Sequence, residues 1–324
     1  MSNEPGSSQN EKQFDAIMLD TMNIAHRLKH KSNQKAEKVG DRKVYRDLAR
    51  EYIELVYSLA DRFLRPGGEV YLLFDNPTSR IGLQKTFYNV DRKQVFSEYK
   101  SGRKKEPKEF YATLDLIKYY FMTNKPTFFC AQIANLEADD LVKPLLDYKL
   151  RDKLSLMVTN DYDWARYLSN KTLWLKDFYE QPVSPEDFVN ILGFYPTEWS
   201  IITYKSLFGD PSDGIPQIMR ESKANKEYFL QLVKNREHFD PKNLLLFPRK
   251  ENPEFYQTVE DSRQQYLINV QLTSSMPVDE SHFKRVLVRG RDSGVVVDSI
   301  EKILGMKALS SEKFQFGNVK PPRT

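Results

Sequence analysis

The sequence has only one cysteine, Cys130, among its 324 residues, so no disulfide can form within the chain. Chains without disulfides are typical of a reducing compartment, and we expect a cytoplasmic protein. No stretch approaches the roughly 20 apolar residues that a membrane span requires. The first twelve residues are polar and lack the apolar core of a signal peptide. These absences exclude a disulfide-rich secreted scaffold and predict no contact with a membrane.

Histidine is also scarce. The four histidines are His26, His30, His238 and His282, and none lies in a pattern typical of nucleophilic catalysis. With one cysteine and scattered histidines, the sequence also lacks the ligand spacing of a zinc site. The chemistry therefore has to come from other side chains.

Carboxylates, in contrast, are clustered near the middle of the chain. Residues 137–140 read Glu-Ala-Asp-Asp, and residues 161–163 read Asp-Tyr-Asp. Carboxylates packed so closely repel one another, and this raises the free energy of ionising each of them. Either solvent on an exposed helix face or a divalent cation could offset that repulsion.

The position of these acids relative to the predicted strands favours a cation. Strands are predicted at residues 14–19, 69–74, 126–130 and 153–159, and helical patterns separate them. This alternation predicts an α/β fold with a mainly parallel central sheet flanked by helices. Each strand runs into an acid, in turn Asp20, Asp75, Glu137 and Asp161. Because ligands bind beyond the carboxyl ends of such strands, we expect one shared site there.

The chain from residue 184 onward is predicted to be helical, and a turn-rich loop at 209–216 adds two more acids. The candidate metal site then comprises Asp20, Asp75, Glu137, Asp139, Asp140, Asp161, Asp163, Asp210 and Asp213. A set of carboxylates without histidine or cysteine favours two Mg²⁺ or Mn²⁺ ions over zinc. Two such ions suit phosphoryl displacement, because they stabilise both the attacking and the leaving oxygen.

A basic segment supplies charge complementary to a phosphate-bearing substrate. Its bases are Arg92, Lys93, Lys100, Arg103, Lys104, Lys105 and Lys108, and Tyr88, Phe96 and Tyr99 lie among them. Aromatic rings that stack on bases, next to cations that hold phosphates, are typical of single-stranded nucleic-acid binding. A solvated surface segment is the alternative interpretation.

Six short motifs, in order, resemble those of the 5′-nuclease family, which includes flap endonucleases, phage 5′-to-3′ exonucleases and the nuclease domain of bacterial DNA polymerase I. They lie at residues 17–23 (with Arg27 a turn further on), 74–75, 98–103, 136–141, 159–163 and 209–216. The resemblance covers roughly residues 14–240 and favours a phage-encoded member, which would act in the host cytoplasm.

The resemblance implies specific roles for these residues. Asp75, Glu137 and Asp139 would bind one metal, whereas Asp161, Asp163 and Asp210 would bind the second. Asp20, Asp140 and Asp213 would support them through water or from the outer shell. The basic residues Lys100, Arg103 and Arg27 would act on the scissile phosphate, Tyr99 would stack on a displaced base, and Lys104 and Lys105 would bind DNA.

The resemblance also implies a domain order and a function. A tail at 1–13 would precede a nuclease core at 14–180 with a helical arch at about 88–110. A helical DNA-binding region with a helix–three-turn–helix-like element would follow at 181–310, and then a tail at 311–324. The implied function is that of a structure-specific 5′-to-3′ exonuclease and flap endonuclease in DNA replication or repair, and replication proteins are possible partners.

Three alternatives stay open. The same site could remove RNA primers from RNA–DNA hybrids, as an RNase H does. The protein could be an inactive module that binds branched DNA, although such a module gains nothing from nine clustered carboxylates. A toxin-like ribonuclease with the related PIN fold would be much shorter and would lack both the arch and the helical extension.

One segment departs from the family pattern. A glycine-rich turn that holds a duplex phosphate and a monovalent cation usually follows the position of Pro216, but residues 217–223 contain no glycine. Residues other than glycine resist the left-handed geometry of that turn. We therefore expect the monovalent-ion site to be absent or altered, with Arg220 and Lys223 holding the duplex phosphate by charge.

Overall fold

The computed structural model describes residues 13–31, 35–76, 92–102, 104–234, 240–246 and 252–306. Within these ranges the strands are β1 Phe14–Asp20, β2 Ala36–Val39, β3 Arg42–Tyr45, β4 Leu64–Phe74, β5 Phe128–Gln132, β6 Ser155–Val158, β7 Thr172–Leu175 and β8 Val288–Arg289. Six of them form one sheet in the order β7-β6-β1-β4-β5-β8, and β2 pairs with β3 in a separate hairpin. All neighbours in the large sheet are parallel except β5 and β8.

The helices flank this sheet. They are α1 Thr21–Lys31, α2 Arg46–Phe63, α3 Arg92–Val95, α4 Lys108–Met122, α5 Ala138–Tyr148, α6 Pro185–Leu192, α7 Glu198–Phe208, α8 Lys223–Lys234, α9 Pro253–Asp261, α10 Arg263–Thr273, α11 Glu280–Val286 and α12 Gly294–Leu304. Short 3-10 helices lie at Tyr162–Tyr167 and Pro241–Leu246. No helix within the described ranges is both long and apolar enough to cross a membrane.

The sheet forms because its central strands are continuously apolar, as expected for parallel strands covered on both faces. Successive side chains of β1 point to opposite faces. Ile17 and Leu19 pack in a cluster with α1, α2, α4 and α12. Ala16 and Met18 pack in a second cluster with α5, α7 and α10. The prediction of an α/β fold with a mainly parallel, helix-flanked sheet is confirmed.

The topology places a crevice beside β1. From β1 the chain adds β4 and β5 on one side, and then crosses to add β6 and β7 on the other. Such a reversal of strand order opens a crevice at the carboxyl ends of the strands, where α/β folds bind their ligands.

The polar, lysine-rich composition of residues 29–42 predicts a mobile loop, but residues 36–45 have regular structure. They form the β2–β3 hairpin, which turns at Gly40 with a φ of +59°. The hairpin is anchored because Val44 is buried and because the backbone N–H of Tyr45 donates to Thr113 Oγ1 at 2.8 Å. The polar composition of this segment gives no strand signal, because the hairpin is stabilised by its contact with α4.

The last part of the described chain returns to the sheet. Strand β8 pairs with β5, and Val297, Ile300 and Leu304 of α12 are buried in the cluster that contains α2 and α4. Residues 288–304 therefore extend the α/β core, although the sequence assigned them to a helical region. The first twelve residues, the segments 77–91 and 307–324 and Arg103 lie outside the described residues, and with them most of both predicted tails and the first part of the predicted arch.

Candidate active site

Acids from three neighbouring strands meet at the carboxyl edge of the sheet, as their positions after the strands predicted. Asp20 ends β1, Asp75 follows β4, and Asp161 lies three residues beyond β6. The three are close enough that Asp75 and Asp161 both raise the pKa of the Asp20 carboxyl.

The N-terminus of α5 carries the next acids. Glu137 is the N-cap residue, and it forms a reciprocal capping box with Asp140. The backbone N–H of Ala138 donates to Asp75 Oδ1 at 2.7 Å, so the first turn of α5 is bound to the end of β4. Free N–H groups and the helix dipole favour negative charge here. The half-buried Asp139 has a pKa well above its usual value, because burial and then the charges of Asp140 and Glu137 oppose its ionisation.

Like Asp139, the carboxyl groups of Asp20 and Asp161 resist ionisation within the protein. Burial, followed by repulsion from Asp75 and Asp161, raises the pKa of Asp20 to about 8. Hydrogen bonds from Thr159 Oγ1 at 2.9 Å and from the Asn23 N–H at 3.1 Å only partly oppose this. Burial and the neighbouring Asp163 raise the pKa of Asp161 to about 6. Buried oxygen ligands that resist ionisation fit the donor set of a hard divalent cation.

The acids of the second predicted metal site have a counter-ion within the protein. The ammonium of Lys205, on α7, forms ion pairs with Asp163 Oδ1 and, at 2.7 Å, with Asp210 Oδ2. Burial alone would raise the pKa of Asp163, but Lys205 and Arg166 lower it to about 2. The sequence pattern did not single out Lys205. Its five-residue separation from Asp210, on a helix that is otherwise largely apolar, is the signal that could have done so.

Lys100 reaches Glu137 of the first predicted metal site and Asp213 of the supporting acids. Its Nζ lies 2.6 Å from Glu137 Oε2 and 3.5 Å from Asp213 Oδ2, and its backbone N–H donates to the Asp213 carbonyl at 2.8 Å. Lys100 adopts a φ of +53°, which is unusual for a residue other than glycine. The segment after α3 thus docks on the 210–215 turn, where a Cβ on Gly214 would lie 2.9 Å from the Glu98 carbonyl.

The Tyr99 side chain is buried beside the acids. It is only 4% exposed, and its ring packs with Ile215 and Leu272. The hydroxyl faces Glu137 Oε2 at 3.3 Å and Asp213 Oδ2 at 3.4 Å. Tyr99 thus packs as a core side chain here, and its stacking on a displaced base stays a prediction.

The prediction that Arg92 offers its charge to nucleic acid is wrong. The residue is 8% exposed, and its guanidinium forms a bidentate pair with Asp140 at 2.7 and 3.0 Å. It also lies 3.1 Å from Glu137 Oε2 and donates to the Ser274 carbonyl at 3.1 Å. The backbone N–H of Met276 donates to Asp140 Oδ1 at 2.9 Å, so both Asp140 oxygens accept hydrogen bonds from the protein itself.

Residues 273–276, which we call the strap, join the end of α10 to the acids. A second buried arginine, Arg166, donates to the carbonyls of Asp163 at 2.7 Å and Thr273 at 2.6 Å. Arg92 and Asp140 hold the strap at Ser274 and Met276. The end of α10 and the strap, which lie in the region that the sequence assigned to DNA binding, therefore support the acidic site.

The other predicted site residues lie further out. Arg27 stacks 3.9 Å from the Phe178 ring centroid, donates to the Lys176 carbonyl at 2.9 Å and pairs with Asp177 at 3.4 Å. The structure thus ties Arg27 to the loop after β7. The predicted DNA-binding bases Lys104, Lys105, Arg220 and Lys223 are exposed, and Arg103 lies outside the described residues.

The raised pKa of Asp20 predicts a pH dependence for the metal-free protein. Between its ordinary value of 3.8 and about 8, Asp20 binds more protons in the folded than in the unfolded state. Protonation of Asp20 therefore stabilises the folded state fully below pH 3.8, and this stabilisation decreases progressively until it is lost as the pH rises through about 8. We expect the free energy of unfolding in chelator to fall less between pH 5 and 8.5 in Asp20→Asn than in the wild type, as measured by urea denaturation.

The matched control for this pH dependence is Asp152→Asn, because the Asp152 side chain is 85% exposed. That variant should follow the wild-type pH profile. An Asp20→Asn profile parallel to that of the wild type would contradict the assigned ionisation.

Comparisons with known proteins agree with this geometry. The family model described as 5′-3′ exonuclease, N-terminal resolvase-like domain, matches residues 15–193. The 5′-3′ exonuclease of Buchnera aphidicola subsp. Schizaphis graminum is 30% identical over 153 residues, which are 46% of this chain and 48% of that protein. The thermostable DNA polymerase I of Thermus thermophilus is 25% identical over 207 residues, which are 60% of this chain and 23% of that protein. The chain thus spans about half the length of the first relative and less of the second.

Solved structures show the same fold. A flap endonuclease of bacteriophage T5, in a pseudo-enzyme–product complex with DNA and metal ions, superposes with a TM-score of 0.59. The two chains are 18% identical, and the match covers 89% of this chain and 97% of the other. At that identity the likeness shows the fold alone. Since the family model matches more than half of the sequence, the chain belongs to the 5′-3′ exonuclease family.

Proposed function

We propose that this protein is a divalent-metal-dependent nuclease that hydrolyses phosphodiester bonds at 5′ ends or branches of DNA. The main support is that buried carboxylates from separate elements converge on the carboxyl edge of the sheet. Burial and mutual repulsion raise the pKa values of Asp20 and Asp161 there. Bound cations would offset this burial and repulsion. Carboxylates with shifted pKa values in a crevice favour a functional site over a structural one.

Two Mg²⁺ or Mn²⁺ ions are the cofactors that these ligands suit. Asp75, Glu137 and Asp139 would hold one ion, and Asp161, Asp163 and Asp210 the other. When bound, such ions stabilise the negative charge that develops on the phosphate oxygens and promote ionisation of a water molecule. Asp20, Asp140 and Asp213 would support these ligands from behind. The presence of metal ions in the bacteriophage T5 complex supports this assignment.

Basic side chains of the chain would bind the substrate. Lys100 already lies among the acids, so its ammonium can donate hydrogen bonds to a phosphate oxygen at the reacting centre. Arg103 would assist it, and the exposed Lys104 and Lys105 would hold the neighbouring phosphates. Arg27 would support the same region from the loop after β7.

The division of labour along the chain is also a proposal. The core at 14–180, with its arch at about 88–110, would cut the substrate. The helical region at 181–310 would bind the duplex and could contact replication proteins. The bacteriophage T5 flap endonuclease and its DNA complex support branched DNA as the substrate class.

Cleavage assays test the function directly. Labelled 5′-flap DNA, blunt duplex and RNA–DNA hybrid would each be incubated with Mg²⁺ and with a chelator. We expect Mg²⁺-dependent cleavage near the 5′ end or the branch. Cleavage in chelator would contradict the metal dependence, preference for the hybrid would favour removal of RNA primers, and binding without cleavage would indicate a branched-DNA-binding module.

The segment after the 210–215 turn yields a prediction on duplex binding. Among the described residues, positive φ angles outside glycine occur only at Lys100 and Asn135, so residues 217–223 lack a left-handed turn. Arg220→Ala combined with Lys223→Ala should weaken duplex binding and lower the salt slope of log K by roughly 1 to 2. Fluorescence anisotropy at several salt concentrations measures both quantities.

The control for that double variant removes two bases from the opposite edge of the sheet. Arg151 and Lys171 are exposed and precede β6 and β7, respectively. Arg151→Ala with Lys171→Ala makes the same change in charge and should preserve the wild-type slope. Equal slopes in both double variants would refute the assignment of phosphate contacts to Arg220 and Lys223.

A further inference from the structure

The strongest unexplained feature of the site is the ammonium of Lys205. It forms ion pairs with two acids from different elements, Asp163 in the 3-10 helix after β6 and Asp210 after α7. The Lys205 side chain is only 15% exposed, so these pairs are shielded from bulk solvent. An exposed lysine with one carboxylate partner would form an ordinary surface ion pair, whereas Lys205 bridges two acids within the site.

Position within α7 explains why the ammonium reaches both acids. Buried side chains surround most of α7, among them Trp199, Ile202 and Phe208, and Lys205 lies on the last turn before Gly209 and Asp210. Without a cation, Asp163 and Asp210 would repel each other. The ammonium supplies that cation from within the chain, and it draws together residues that are 47 positions apart in sequence.

The same contacts occupy oxygens that a divalent ion would use. The second Asp210 oxygen accepts from the N–H of Ser212 at 2.9 Å and from its Oγ at 2.6 Å. Asp161 Oδ1 accepts from the N–H of Asp163 at 2.9 Å. Within the described part of the chain, no three His, Cys, Asp or Glu side chains are gathered in a geometry ready to hold a metal ion.

We propose that Lys205 is a built-in counter-ion that holds Asp163 and Asp210 in place in the metal-free protein and competes with the second divalent ion for their oxygens. The second ion then binds only as the ammonium withdraws, which the flexible four-carbon stem of lysine permits. This inference rests on the proposed metal-dependent function. It adds a residue that sets the affinity for metal without itself being a ligand.

Metal binding, measured apart from cleavage, tests the inference. Mn²⁺ titrations of the chelator-treated protein, by calorimetry and by electron paramagnetic resonance of free Mn²⁺, would compare the wild type with Lys205→Met. Removing one positive charge a few ångströms from the ion should tighten the weaker Mn²⁺ site by about tenfold or more. The tighter site should change much less.

A matched control separates this effect from the general loss of a lysine. Lys171 pairs with Asp152 and is 57% exposed before β7. Lys171→Met makes the same change of side chain there and should leave both Mn²⁺ affinities at their wild-type values. An equal or weaker second site in Lys205→Met would overturn the inference, because Lys205 would then organise the ligands without competing for them.

A second variant covers the case in which Lys205→Met does not fold without metal. Lys205→Arg keeps the charge, and its guanidinium can pair with both carboxylates. It should bind the second Mn²⁺ no more tightly than the wild type does, and a tighter site would overturn the inference. If the wild type binds no Mn²⁺ at all, the proposed metal-dependent function fails as well, so the two failures are distinguishable.

Discussion

Asp161→Asn is expected to reduce cleavage of a 5′-flap substrate by at least about 10³-fold, which corresponds to roughly 4 kcal/mol of lost transition-state stabilisation. The variant removes a negative charge from the centre of the acids but retains an oxygen that can accept from the N–H of Asp163. The local backbone should therefore persist, and DNA binding in chelator should stay within a few-fold of that of the wild type. Single-turnover cleavage and anisotropy measure the two quantities.

The control for Asp161→Asn is the same substitution at the far edge of the sheet. Asp152 precedes β6 and is 85% exposed, so Asp152→Asn should cleave at the wild-type rate. If Asp161→Asn kept more than about a tenth of the wild-type rate in Mg²⁺, Asp161 would not be an essential ligand. If it lost DNA binding in parallel, the substitution would have disturbed the fold instead.

Arg92→Met should have the largest effect on stability, with a loss of about 3–5 kcal/mol in the free energy of unfolding. Arg92 is buried, and its removal leaves the fully buried Asp140 without its bidentate partner, next to Glu137. Methionine is about as long as the aliphatic stem of arginine and fills much of the same space. The loss of stability therefore reports the unpaired charge of Asp140 more than a cavity. Urea denaturation at pH 7.5 measures it.

Two comparisons make the Arg92 result interpretable. Arg42 pairs with Asp115 on the surface, where both side chains are more than two-thirds exposed, so Arg42→Met should cost less than about 1 kcal/mol. Arg92→Met combined with Asp140→Asn should recover part of the loss, because the buried charge is then gone. Equal losses for Arg92→Met and Arg42→Met would show that burial does not strengthen the Arg92 pair.

The sheet and the acids at its edge could be predicted because their signals are local. An apolar run such as residues 14–19 identifies a buried strand by itself, and the next residue, Asp20, lies at the carboxyl end of that strand by necessity. Short or polar strands carry no such signal. The hairpin at 36–45 and the two-residue strand β8 are stable only through contacts with α4 and β5, so the pattern could not reveal them.

The counter-ions of the site are only weakly signalled in the sequence, because most of their contacts join distant parts of the chain. Arg92 follows no apolar run and stands near several lysines in the sequence, yet the fold buries it against Asp140. Lys205 likewise looks like the polar edge of a helix until Asp163 is brought next to it. From the sequence, either solvent or a divalent cation could offset the repulsion between these acids. The structure adds a third source of positive charge, the arginine and lysine side chains of the protein itself.

The strap has a consequence for how the protein is made. The acids lie between residues 20 and 213, but the carbonyls that Arg92 and Arg166 require belong to residues 273 and 274. Domains form from the N-terminus as the chain leaves the ribosome. A nascent chain that ends before the strap would already contain every carboxylate, but its two arginines would still lack their last partners. Completion of the acidic site is therefore tied to synthesis of α10 and the strap, so the two arginines gain their full set of partners only after most of the chain has been made.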